Sequence, residues 1–259
     1  MALVLPGCFG GGRLAFDEGC APEGSGVADG VPVCFTTDDG WLLEGTLWRG
    51  SDKGAPTVVL VHGLNEEHGA FGKLARDLAE RGFTVLAFDS RGHGSSRITE
   101  GAKPRWPEFT DREYQSMYRD LVAAAEFLVD KDLRRPTVIV GSMLGANEAL
   151  QYATSRDGLG LEGLLLLSPG VAYRGMTATT AFARLYEGDV LVVASADDTS
   201  GSRDAKTLLD AMPSTTKALK LWPSKGRGTR MLDDTEVRGA LLHWTVEVTK
   251  NLPPARDPA

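Results

Sequence analysis

The chain has 259 residues, of which 42% are hydrophobic, and carries a formal net charge of −7. That acidic balance argues against nucleic acid or an anionic membrane surface as partner. The length suits a single α/β domain, and no run approaches the roughly 18–20 apolar residues of a membrane-spanning helix.

Residues 1–30 are a lead-in, of which residues 9–30 carry Gly, Pro, Asp and Glu and read as irregular. Within the lead-in Leu5-Pro6-Gly7-Cys8 resembles a lipobox, in which the cysteine becomes a lipidated N-terminus. The segment before it is too short for a full secretory signal, so a truncated signal and an ordinary cysteine are both open. Cys20 and Cys34 bracket a stretch with little else to order it. Paired, they suit an oxidising compartment and a periplasmic or lipid-anchored protein of the cell envelope; as free thiols they suit a cytoplasmic one.

One domain is expected over 31–252, with a tail at 253–259. Val33 to Phe35 and Trp41 to Trp48 read as strands joined by a turn at Asp39-Gly40. Thr57 to Val61 is a continuous apolar run, as expected of a strand covered on both faces. A helix follows from about Gly69 to Arg81, with Phe71, Leu74, Ala75 and Leu78 on one face. Phe83 to Phe88 is the next buried strand. A second helix spans about Asp111 to Val129, with Tyr114, Met117, Leu121 and Leu128 at helical spacing. After the strand ending at Val140 come a helix from Ala146 to Ala153 and a strand from Gly163 to Leu167. Residues 168 to 188 have room for a loop and one short helix, and for no large lid. A strand at Asp189 to Ala194 and a helix near Ser202 to Met212 follow, the helix burying Ala205, Leu208, Leu209 and Met212. Lys217 to Trp222 is the last strand. The final helix has a capping-box start at Asp233 and Glu236, and buries Val237, Leu241, Trp244 and Val248. Buried strands alternating with helices predict a mostly parallel sheet with helices on both faces.

Residues 137 to 147 read T-V-I-V-G-S-M-L-G-A-N. A β-branched run enters a turn framed by Gly141 and Gly145 and leaves as a helix, the setting of the G-x-S-x-G nucleophile elbow. Together with V-L-V-H-G-L, A-F-D-S-R-G-H-G-S-S, L-S-P-G-V-A-Y-R-G and V-V-A-S-A-D-D-T-S, in that order, the chain resembles the bacterial α/β-hydrolases of the dienelactone-hydrolase and small-esterase branch. The resemblance runs from about Phe35 to Leu252. It implies an α/β-hydrolase fold with an N-terminal hairpin, an acid at Asp198 (Asp197 being the second choice), and oxyanion donors in the backbone N–H groups of Leu64 and Leu144.

At two positions the resemblance fails. The nucleophile position holds Met143, with Ser142 one place early, and the histidine position holds Arg227 within S-K-G-R-G-T-R-M-L. A thioether has no proton to lose and forms no stable acyl product. A guanidinium stays protonated and cannot serve as base. The expectation is a catalytically inactive hydrolase-fold protein that either binds a small acyl- or ester-like ligand or a protein partner or has a filled site that binds nothing, with Arg227 paired bidentately to Asp198 and Met143 filling the site floor. The alternative is an active esterase using Ser142 as a displaced nucleophile, or a substituted form of an active one. His62 and His93 are expected to be structural hydrogen-bonders, His68 a surface residue by the first helix, and His243 a partly buried helix residue. His62, His68, Glu66 and Glu67 make no H-E-x-x-H, so no metal is expected, and the R-G-H-G-S-S loop lacks a phosphate-cradle pattern, so no cofactor is expected.

Overall fold

The computed structural model describes residues 30–52, 54–98, 104–158, 160–177 and 179–252. Expectations that fall on Cys8, Cys20, the lead-in through residue 29 and the tail 253–259 lie outside the described residues.

Among the described residues nine strands form one sheet: β1 (Val31–Thr36), β2 (Trp41–Trp48), β3 (Thr57–Val61), β4 (Thr84–Phe88), β5 (Arg97–Ile98), β6 (Val138–Ser142), β7 (Gly163–Leu167), β8 (Asp189–Ser195) and β9 (Lys217–Trp222). Their order is β1-β2-β4-β3-β6-β7-β8-β9, with β5 paired to β2. β1 and β2 form the expected antiparallel hairpin, β2 runs antiparallel to β4, and every pairing from β4 through β9 is parallel. All five residues of β3, β4, β6 and β7 are buried, because helices cover both faces and alternate side chains point to opposite sides.

On one face Val59, Val61, Ile139, Leu164 and Leu166 pack with α3 (Tyr118–Asp130), α4 (Leu144–Ala153) and α6 (Thr199–Ala211) through Leu121, Leu150 and Leu208. On the other, Val58, Leu60, Val140 and Leu165 meet α1 (Gly72–Ala79) and α7 (Thr235–Thr249) through Leu74, Leu78, Val237 and Leu241. The hairpin is fastened to the first layer by Phe35 stacked on Phe127, ring centroids 5.0 Å apart. A buried ion network adds to this: Arg91 donates from Nε to Asp120 Oδ1 at 2.7 Å and from Nη1 to Asp39 Oδ2 at 2.8 Å.

Several boundaries differ from the sequence expectation, each for a local reason. The first helix is preceded by a 3-10 turn, His68–Phe71, because Asp89 Oδ1 accepts from both the backbone N–H and the ring Nδ1 of His68, at 2.7 Å each. The second helix is two, α2 (Asp111–Gln115) and α3. At the break the Ser116 hydroxyl donates to Arg112 O at 2.8 Å and competes with the helical ladder. α6 begins at Thr199 because Asp198 caps it, and Leu209 on it is only half-buried.

The last helix is capped by Asp234, not Asp233: Asp234 Oδ1 accepts from Glu236 N at 2.9 Å and Val237 N at 3.2 Å. Asp233 instead ends a 3-10 turn, Gly228–Asp233, and pairs with Lys73 at 2.7 Å. On α7, Leu242, Thr245 and Thr249 are buried, Trp244 and Val248 half-buried, and His243 exposed rather than partly buried. The 168–188 segment holds the one short helix α5 (Thr179–Ala183). No helix among the described residues is long and apolar enough to cross a membrane. Cys34 is disulfide-bonded.

Candidate functional site

β6 delivers the chain to the turn. Gly141 and Gly145 are needed there for closeness: a Cβ on Gly141 would lie 2.4 Å from Gly145 O, and one on Gly145 2.4 Å from Val61 O. Between them Met143 has φ 51° and ψ −110°, a conformation that residues with a Cβ adopt only where the surroundings enforce it. Met143 is therefore the apex of the turn. Its N–H is tied to Leu167 O at 2.8 Å, and its carbonyl accepts from Ala146 N at 3.1 Å, which starts α4.

Ser142 is the last residue of β6, paired with Leu167 in the sheet. It is fully buried, and its hydroxyl has no hydrogen-bond partner, imidazole included, among the described residues. A Cβ built on Gly228 would lie 2.7 Å from Ser142 Oγ and 3.0 Å from Met143 Sδ. Both groups thus face Gly228, which itself sits at φ 58° in the loop that carries Arg227.

Arg227 Nε lies 3.3 Å from Asp198 Oδ2. The two loops are paired as expected, but through one contact rather than two, and at an angle outside hydrogen-bond geometry. Asp198 Oδ1 is turned to its own helix and accepts from Gly201 N at 3.1 Å. Arg227 Nη2 donates to the Tyr173 hydroxyl, and its guanidinium carbon stands 5.8 Å from the Tyr173 ring centre. Burial raises the Tyr173 phenol above its ordinary range, with Arg227 pulling the other way. Asp197 faces the other side of the loop, taking hydrogen bonds from Ser195 Oγ, Ser224 Oγ and Gly226 N.

Leu64 follows β3 closely, and Leu144 is the first residue of α4. Neither N–H donates to an acceptor among the described residues; for Leu144 that is normal in the first turn of a helix. A Cβ on Gly63 would lie 3.3 Å from Met143 Cβ, so the Leu64 loop borders the apex.

Three residues that sequence reasoning did not assign complete the site. Glu66 bridges two loops: it accepts from Gly63 N at 2.7 Å through Oε2 and from the Thr229 hydroxyl through Oε1. Asn147 holds the loop that carries Tyr173, donating to Gly170 O and Thr179 Oγ1, each at 2.8 Å. Tyr173 is the third. It lies within L-S-P-G-V-A-Y-R-G, but which side chain of that motif would face Arg227 depends on the turn at Tyr173–Met176, not on spacing.

His62 and His93 are the structural groups expected. His62 donates from Nδ1 to Gly63 O at 2.8 Å and accepts from Ser90 N at Nε2, 3.0 Å; burial lowers its pKa. His93 donates to Arg91 O at 3.0 Å, and burial, with His62 alongside, brings its pKa to about 4. Both are neutral at pH 7. Burial pushes Asp89 upward, but its hydrogen bonds from His68 and Ser95 hold it at about 2. A cleft of about 320 Å³, lined in part by Asn65, Glu66, His93 and Trp106, opens beside the Leu64 loop.

Comparison with known proteins agrees with this fold. An abhydrolase domain-containing protein of Dictyostelium discoideum is 29% identical over 133 residues, covering 51% of this chain and 13% of that protein. Human monoglyceride lipase is 27% identical over 142 residues, covering 55% of this chain and 44% of the lipase. The chain thus spans less than half the length of either curated relative. The ferulic acid-bound Est1E of Butyrivibrio proteoclasticus superposes with a TM-score of 0.69 at 15% identity, covering 84% of this chain and 99% of that one. Residues 52–188 match the family described as serine aminopeptidase, S33. With the sheet, the glycine-framed elbow and this match together, the chain belongs to the serine aminopeptidase S33 family of α/β hydrolases.

Proposed function

We propose that this protein keeps the hydrolase fold and its site but does not turn over esters, and that the site holds a small acyl- or ester-like ligand. The observation that carries the reading is the elbow geometry. Met143, and not Ser142, takes the strained apex, where an attacking group would have to stand. Arg227 supports it from the other side, since a permanently protonated group cannot accept the proton that acyl transfer must move. Loss of one member of such a set already lowers the rate by orders of magnitude.

The resemblance to small esterases and the name of the human relative make an ester- or acyl-bearing small molecule the first ligand class to try, ahead of a protein partner. A disulfide at Cys34 suits the oxidising cell envelope, with or without a lipid anchor at Cys8. Hydrolysis through Ser142 is the weaker reading, because its hydroxyl is buried and faces Gly228 without a base.

A short-chain p-nitrophenyl ester assay tests the proposal. The native chain should release no p-nitrophenol above buffer, and Met143→Ser combined with Arg227→His should gain turnover. Turnover by the native chain that Ser142→Ala abolishes would refute it.

A further inference from the structure

The site also contains a thioether sulfur and, beside it, an unsatisfied donor. Met143 is partly exposed, whereas Met117, Met176, Met212 and Met231 are only 1%, 4%, 2% and 0% exposed. Peroxide oxidises thioethers that it can reach, so Met143 stands apart from every other described methionine. Its Sδ and the Ser142 hydroxyl crowd the same point at Gly228, 3.0 and 2.7 Å from where a Cβ would be. That hydroxyl is fully buried with no acceptor, a state that folded proteins rarely leave in place.

We infer that Met143 is a reversible oxidation site, and that its sulfoxide oxygen accepts the hydrogen bond that Ser142 has nowhere else to give. The step is balanced with a peroxide as oxidant. The sulfur lone pair attacks one peroxide oxygen, the O–O bond breaks, a molecule of water leaves, and the thioether becomes a sulfoxide by loss of two electrons. Sulfoxide formation places a polar, chiral group on the floor of the site, where an apolar one stood. Methionine sulfoxide reductases reverse it. Ligand recognition at the elbow therefore becomes sensitive to peroxide.

Limiting hydrogen peroxide on the full chain, followed by peptide mass spectrometry and thermal melting, tests both halves. Met143 should gain one oxygen roughly tenfold faster than the four buried methionines. The oxidised native protein should melt no lower than the reduced one. In Ser142→Ala the oxidised form should melt about 2–4 °C below its reduced form, having lost the donor. Met143→Leu, with no sulfur at the apex, should keep its melting temperature through the same treatment. Oxidation of Met143 no faster than the buried methionines would overturn the inference. So would an oxidation shift of equal size in the native chain and Ser142→Ala, or a shift in Met143→Leu.

Discussion

Asp198 serves three neighbours with one carboxylate: Oδ1 caps α6 through Gly201 N and accepts from the Ser200 hydroxyl, and Oδ2 stands 3.3 Å from Arg227 Nε. The Arg227 side chain is 40% exposed as a whole, although the facing Nε and Oδ2 atoms are buried, so solvent screens part of the pair and its contribution is about 0.5–1 kcal/mol at most. Asn is nearly as good a cap as Asp, so Asp198→Asn isolates the charge. The expected result is a melting temperature lower by roughly 1–3 °C, with the difference shrinking in high salt; an unchanged value means that the pair holds nothing together. The approach of Arg227 to Asp198 was legible in the sequence, because a guanidinium and a carboxylate brought to neighbouring loops attract each other. The single contact was not legible. Tyr173 takes Nη2 of Arg227, and a long-range competitor of that kind leaves no trace in local spacing.

At the scale of elements, strands were easier to place than helix ends. Thr57–Val61 and Gly163–Leu167 have the bounds that their apolar runs and flanking turns predict, since a buried strand is defined by its own residues. Helix starts are decided by which acceptor reaches the first free N–H groups, and adjacent candidates look alike. Asp233 and Asp234 are the clearest case. The capping-box spacing favours Asp233, but the 3-10 turn before it carries that side chain out to Lys73 and brings Asp234 into the capping position. Asp234→Ala should therefore lower the melting temperature by roughly 2–4 °C, while Asp233→Ala, which removes only an exposed ion pair, should lower it by less. Equal losses in the two variants, read by thermal denaturation, would put the cap back on Asp233.

Across the whole molecule, the alternation of buried strands and amphipathic helices was enough to read the parallel sheet and its two covered faces. What composition and spacing could not reveal is where charge is buried. Glu148 on α4 is fully buried, with Ser90 Oγ on one oxygen at 3.4 Å and no partner on the other. Burial, with Asp120 nearby, raises its pKa well above the ordinary carboxylate value, against a smaller pull from Arg91. An acid whose pKa is raised by folding holds its proton more tightly in the native state. Its stabilising contribution is complete below the unfolded value of about 4.3 and declines as pH rises towards the folded value. Glu148→Gln removes that decline. Urea denaturation at pH 5 and pH 9 should show the variant gaining on the native chain as pH rises, by about 1.4 kcal/mol for each pH unit between 5 and the folded pKa; parallel curves would show that Glu148 is not held neutral.

Whether this site is inert depends on which atom occupies the attacking position, and a fluorophosphonate, which phosphonylates an activated serine hydroxyl, reports on it directly by intact mass. The native chain should show no adduct, and Met143→Ser with Arg227→His should take up one equivalent, on the hydroxyl introduced at position 143. An adduct on Ser142 of the native chain would contradict the account.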